Sequence, residues 1–255
     1  MEKIYPDSEV ELTPFLAKHY DTLLNVVTLG FYHRFIRKAI AAMKIRGDER
    51  ILDLGCGTGR NACLMYEYLK EGAVTGLDIS EVMEKQFREK CRDRHDAEFI
   101  RQRIDIPFDL GKKFDKVFIS FVLHGFPQEV REVVIRNAFD HLKEGGTFHI
   151  LDYGEFDLEK TPFYIRIPFK KIECKYAFDY IARDWKGILQ GVGFTSFEEK
   201  KFAGRYARLL TARKGSSPSE RTFVPVRMGI RPRPTRSSGR AGGRAEKLDA
   251  SRPPG

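Results

Sequence analysis

The 255-residue chain has no long apolar run. No window offers the roughly 18 consecutive apolar side chains of a membrane-spanning helix. Its first ten residues, MEKIYPDSEV, are polar and acidic, which argues against a secretory signal. Cysteine is sparse. Cys56, Cys63, Cys91 and Cys174 form no Cys-x-x-Cys pair and no zinc-like spacing, so neither a disulfide framework nor a metal site is expected. Reduced thiols in a cytoplasmic protein are the plain reading, with contact at the inner face of a membrane as a secondary expectation.

What is present suits a globular protein: 42% hydrophobic and 32% charged residues, enough for one large α/β domain or two small ones. The net charge of +9 suggests nucleic acid at first sight. Yet residues 215–255 hold nine basic against three acidic side chains, and so six of the nine surplus charges. That segment is rich in Pro, Gly, Ser and Arg and has no apolar period, so it is expected to be a disordered basic tail. A flexible extension is its first reading, a basic arm for an acidic partner or membrane surface the second, and an RNA-binding segment the third.

The body alternates strand and helix signals. RILDLG, AVTGLDI, AEFIRQRI, FDKVFISFVL and TFHILDYG read as five strands, the fourth apolar enough for a buried parallel strand. RNACLMYEYLKEG, EVMEKQFREKCRDR and PQEVREVVIRNAFDHLKEGG read as the helices between them, with Ser80 capping the second and Pro127 opening the third. A further helix is expected around Ile181–Gln190. FTSFEEKKF and YARLLTAR follow as a hairpin, so one strand at least must run antiparallel. The fold class expected is α/β, a doubly wound and mostly parallel sheet with an antiparallel C-terminal hairpin.

The glycine loop after the first strand carries the chemistry. Gly55, Gly57 and Gly59 flank Cys56 and Thr58 at the opening of a helix, where backbone N–H groups can approach a ligand. Asp78, followed by Ile79, closes the second strand and is placed to take both hydroxyls of a ribose. The dinucleotide fingerprint G-x-G-x-x-G/A is broken by Arg60, which would crowd helix–strand packing. Asp53, inside the strand, would repel a pyrophosphate and suits the sulfonium and ammonium of S-adenosylmethionine. After the third strand, Asp105 is placed to accept from an adenine amino group and Ile106 to cover the ring. The bland alternative makes Asp105 a turn residue before Pro107.

Residues 13–213 resemble the class I S-adenosylmethionine-dependent methyltransferases, and more narrowly the ubiquinone and menaquinone biosynthesis C-methyltransferases. LDLGCGTG, GLDIS, FDKVFISFVLHG and HLKEGGTFHILD carry the superfamily resemblance, and AKHYDTLLNVVTLGFYHRFIRKAI the quinone branch. The resemblance implies a seven-stranded Rossmann-like methyltransferase sheet and S-adenosyl-L-methionine at its carboxyl edge. It also implies methyl transfer to an aromatic carbon. It puts Thr58, Asp78, Asp105, Ile106 and Ser120 on cofactor-binding positions. The chain departs from the quinone pattern after the fourth strand, with Leu123-His124-Gly125 where those enzymes typically read Leu-Arg-Asn.

An aromatic carbon beside a phenol becomes nucleophilic when the phenol loses its proton, which asks for a general base. His124 is the first candidate, then His33 and Tyr20. A loop cap, an exposed helix residue and a packing residue are their respective bland roles. Residues 1–45 are expected to form a helical lid, 46–214 the cofactor-binding domain and 215–255 the tail. Residues 152–180 are expected to cover the substrate. The expected partner is a small methyl acceptor, aromatic or lipophilic, such as a demethylated quinone. The Asn/Asp-Pro-Pro-Tyr motif of base amino methylation is absent, so methylation of nucleic acid or protein ranks second. A non-catalytic cofactor-binding protein ranks third.

Overall fold

In a computed structural model, the structure describes residues 31–215. Tyr20, the first 30 residues and residues 216–255, with the tail expectation, lie outside them. Seven strands form one sheet: β1 Arg50–Leu54, β2 Ala73–Asp78, β3 Ala97–Arg101, β4 Phe114–Ser120, β5 Leu142–Tyr153, β6 Phe194–Phe202 and β7 Ala207–Lys214. Their spatial order is β3-β2-β1-β4-β5-β7-β6. β1 to β5 run parallel, while β7 pairs antiparallel with both β5 and β6. The expected doubly wound sheet and hairpin are both present.

The alternation along β1 explains how both faces are covered. Ile51 turns to one side, and Leu52 and Leu54 to the other, and all three are buried. On the Ile51 side lie helices α1 (Phe31–Ala42), α2 (Arg60–Met65) and α3 (Glu81–Lys90). They contribute Ile36, Ala39, Ile40, Ala62, Met65 and Phe87 to a core shared with Val74 and Phe118. The Leu52 side is closed by α4 (Gln128–His141), α6 (Lys175–Tyr180) and α7 (Trp185–Val192). Val134, Ile135, Ala138, Ala177, Trp185 and Leu189 fill that core. A short α5 (Phe163–Ile172) precedes α6.

Local chemistry sets the helix ends. The Ser80 hydroxyl accepts from the Met83 N–H at 3.3 Å, and Glu81 and Glu84 sit in the first turn of α3 while Arg88 and Lys90 sit in its last. Cap and charges both complement the helix dipole. The last helix starts at Trp185 and not near Ile181, because the Asp184 carboxylate caps the Gly187 N–H at 3.1 Å. Ile181 instead closes α6. The segment KEGG, read from sequence as the end of a helix, belongs to β5. Gly145 takes φ 73° there, and the β4–β5 register shifts between Phe114 and Lys116.

The chain leaves β1 toward β2 on one side, and β4 returns on the other. That reversal is a topological switch point, and in open α/β sheets ligands bind in the crevice at the carboxyl ends of the strands there.

Candidate active site

The glycine loop is hooked to β2 by its backbone. The Gly55 and Cys56 N–H groups both donate to the Leu77 carbonyl, at 2.8 and 3.0 Å. Gly55, Gly57 and Gly59 all adopt positive φ, of 72°, 53° and 80°. Two of them are packed against neighbours: a Cβ on Gly55 would stand 2.8 Å from Val122, and one on Gly59 2.7 Å from the Phe87 ring. Gly57 differs, since nothing lies within 4 Å of the place its Cβ would take. The loop is therefore tight at its two ends and open in its middle. A ligand can meet bare backbone there.

One carboxylate is bonded to that hollow and a second is buried near the first. Asp78 Oδ2 accepts from the Gly57 N–H at 3.0 Å, and Oδ1 from the Ser80 N–H at 2.9 Å. Each oxygen keeps a lone pair for a ligand hydroxyl. Burial raises the Asp78 pKa, against the pull of those amides. Asp53 is fully buried, in register with Gly76 of β2 and Phe118 of β4. Neither of its oxygens has a hydrogen-bond partner among the described residues. Burial, with the nearby Asp78 charge, lifts its pKa from the ordinary 3.8 to about 8. An unpartnered buried carboxyl is costly by itself and accounts for itself best as a group awaiting a cationic ligand. The open cradle, the ribose-competent carboxylate and the orphaned acid together fit an adenosyl sulfonium amino acid.

A second cluster lies at the ends of β4 and β5. Phe121 leaves β4 with φ 51°, unusual for a bulky residue, and is tied to β5 by donating its N–H to the Leu151 carbonyl at 2.9 Å. The chain then turns through Leu123–Gly125 as a single 3-10 turn. This turn puts His124 beside Asp152: Nδ1 lies 2.8 Å from Oδ1, and the His124 N–H donates to Oδ2 at 3.2 Å. On the far side of the ring, Nε2 lies 3.8 Å from Glu173 Oε2, and the Tyr153 hydroxyl donates to the same glutamate. Burial pulls the imidazolium pKa down. The charge and hydrogen bond of Asp152, with Glu173 behind, more than compensate, so the pKa lies above 6.5. Burial, then Glu173, pushes the Tyr153 phenol well up, so it stays protonated. Tyr153, Phe121 and Phe169 complete the wall: the Tyr153 ring centroid lies 5.0 Å from His124, 6.1 Å from Phe121 and 5.1 Å from Phe169.

Arg131 of α4 holds the turn in place. It is fully buried and donates to the carbonyls of Leu123 (3.2 Å), His124 (3.1 Å) and Tyr176 (2.6 Å) and to Asp179 (2.7 Å). Its guanidinium lies 5.2 Å from the Tyr180 ring centroid.

The remaining candidates fall in several places. Thr58 is buried within the loop, and Ser120 closes β4. The Cys56 thiol is buried in the core, with Gly76 leaving room for it, so only its backbone lines the hollow. Ile79 packs against the core on the Leu52 side. Asp105 is engaged by a forked Arg103 pair at 2.9 and 2.6 Å. Next to it Ile106 is 41% exposed, its carbonyl pinned by Asn137 at 2.8 Å. His33 is exposed on α1 and lines a groove with Arg37, Arg60 and Cys63, away from the His124 cluster. Sequence reading missed Asp152, Tyr153, Glu173 and Arg131. The Leu-Asp-Tyr end of the fifth strand was the available signal for two of them.

Comparison with known proteins bears on the fold and the family. Residues 51–146 match the family model described as a methyltransferase domain. The demethylmenaquinone methyltransferase of Listeria welshimeri is 32% identical over 144 residues, a match covering 55% of this chain and 60% of that relative's length. That of Staphylococcus carnosus is 26% identical over 215 residues, covering 76% of this chain and 88% of the relative. Human N-acetylserotonin methyltransferase, solved in complex with S-adenosylmethionine, superposes with a TM-score of 0.59 at 16% identity, over 80% of this chain and 57% of that one. Residues 51–146 thus carry a methyltransferase domain, in a fold that the chain shares with solved methyltransferases.

Proposed function

We propose that the protein transfers the methyl group of S-adenosylmethionine to a small aromatic or lipophilic acceptor such as a demethylated quinone, with His124 as the general base. When bound, the cofactor supplies an electrophilic methyl on a sulfonium. The chain's own residues have three tasks. The Gly57 hollow and Asp78 hold the adenosyl part. Asp53 faces positive charge. The aromatic wall of Phe121, Tyr153 and Phe169 excludes water and receives a flat apolar ring.

The His124–Asp152 pair carries this reading. Asp152 accepts the Nδ1 proton, so the Nε2 lone pair is left to take a proton from an acceptor hydroxyl. The developing imidazolium is then stabilised by the same carboxylate. Glu173, beside Nε2 and bonded to Tyr153, bounds the position where that hydroxyl would sit. The curated relatives named for demethylmenaquinone methylation support a quinone-type acceptor. The test is methyl transfer from radiolabelled cofactor to short-chain demethylmenaquinol, simple phenols and RNA. Label in the quinol is expected; label in RNA alone would contradict the proposal.

A further inference from the structure

In the core on the Ile51 side of the sheet, two thiols face each other across the gap between α2 and α3. Cys63, in α2, and Cys91, the residue that caps α3, have their sulfurs 3.7 Å apart. Cys91 is buried, while Cys63 is only partly buried and lines a groove of about 410 Å³. The groove is rimmed by His33 and Arg37 of α1, Arg60 of α2 and Lys90 of α3, against a single acid, Glu67. None of these residues is in the His124–Asp152–Glu173 cluster, and the pairing was not visible in the sequence, where 27 residues separate the two cysteines.

We infer that Cys63 and Cys91 are an oxidisable dithiol site for hydroperoxides, with Cys63 the attacked nucleophile and Cys91 the resolving thiol. The Cys63 thiolate attacks the terminal oxygen of the peroxide. The O–O bond breaks, the leaving oxygen departs as hydroxide or alkoxide and is protonated by water, and Cys63 becomes a sulfenic acid. The Cys91 sulfur then attacks the Cys63 sulfur. The S–O bond breaks, water leaves with the Cys91 proton, and a disulfide forms between α2 and α3. Over the two steps two thiols are oxidised and one peroxide is reduced to an alcohol, or to water, and a water molecule.

Three features favour this assignment. A sulfur separation of 3.7 Å needs closure by under 2 Å to reach the disulfide bond length of about 2.05 Å. The more accessible of the two sulfurs is the one that lines the basic groove. The hydrogen bond from Cys91, then the charges of Lys90 and Arg94, lower the Cys63 pKa to about 7, while the same contact and burial drive that of Cys91 up. Cys56, fully buried beside Asp53, has its thiol pushed up and serves as an internal inert control.

The test treats the full chain with hydrogen peroxide under non-reducing conditions and maps its peptides. A Cys63–Cys91 disulfide that dithiothreitol reverses is expected, with Cys56 unmodified. In Cys91→Ser, Cys63 should instead accumulate as a sulfenic acid trapped by dimedone. At about pH 7 the wild type should show one fast-alkylating thiol, roughly five-fold above an ordinary one once thiolate fraction and weaker nucleophilicity are combined, and Cys63→Ser should lack it. Peptide mapping of the wild type needs no variant to fold. If peroxide leaves both thiols free, or if Cys174 oxidises while this pair does not, the inference is overturned.

Discussion

At the scale of single residues, Asp53 makes the sharpest statement. Its pKa of about 8 lies above the ordinary 3.8, so the folded chain holds a proton that the unfolded chain releases. Stability is therefore fullest below about pH 4 on this group's account and is lost as pH rises toward about 8. Asp53→Asn should flatten that loss in thermal melts recorded across this window. A cationic ligand reverses the preference, because it favours the carboxylate. Uptake of S-adenosylmethionine should then expel a proton near neutral pH. Calorimetry in two buffers of different ionisation enthalpy should show that release in the wild type and not in Asp53→Asn. On the proposed reading Asp78 would act differently, through the hydroxyls of the ribose. Asp78→Ala should weaken adenosylhomocysteine binding by about 1.5–3 kcal/mol, or roughly 10- to 150-fold in Kd, as read by titration.

At the scale of elements, the 3-10 turn after β4 is where position becomes chemistry. Arg131 bridges that turn to α6, and its loss would take a buried donor from the Leu123, His124 and Tyr176 carbonyls, while Asp179 would keep its forked pair with Arg183. Arg131→Met should destabilise the protein by about 1–3 kcal/mol in chemical denaturation, through the buried carbonyls it leaves short of a donor. Asp152→Asn is gentler. It removes the charge that lifts the His124 pKa, so burial dominates and the pKa falls. As the base must be unprotonated to work, the acid limb of the rate profile should move to lower pH, while kcat drops about 10- to 1000-fold from lost orientation and basicity. A pH–rate profile of both proteins measures the two effects separately. The same scale shows what the sequence could reveal. β1, the loop glycines and Asp78 were legible because one short stretch contains both a strand pattern and its turn chemistry. The β5 extension through Gly145 was not, since a bulge mimics a helix stop. Nor was the start of α7 at Trp185, since apolar spacing around Ile181 continues across a capped break.

At the scale of the whole molecule, the parallel sheet gathers residues that are far apart in the chain. Asp53, Asp78, His124 and Asp152 come from four strand ends or the turns beyond them, and all stand at one edge because β1, β2, β4 and β5 run the same way. The alternation of strands and helices predicted that edge. It could not predict the partners of His124, because they depend on register: Ser120 pairs with Leu151, which sets Asp152 next to the turn. Glu173 arrives from the segment joining α5 to α6, whose helices no periodicity announced. Glu173 and Phe169, from the segment 152–180, reach the cluster through Tyr153.

The account comes down to proton removal at His124 Nε2, next to a methyl donor held by the glycine loop. Single-turnover methyl transfer with His124→Ala, alongside its affinity for adenosylhomocysteine, tests this most directly. A rate lowered by about 100-fold or more, with Kd within about two-fold of the wild type, is predicted. An unchanged rate, or a loss that appears only in cofactor affinity, would contradict it.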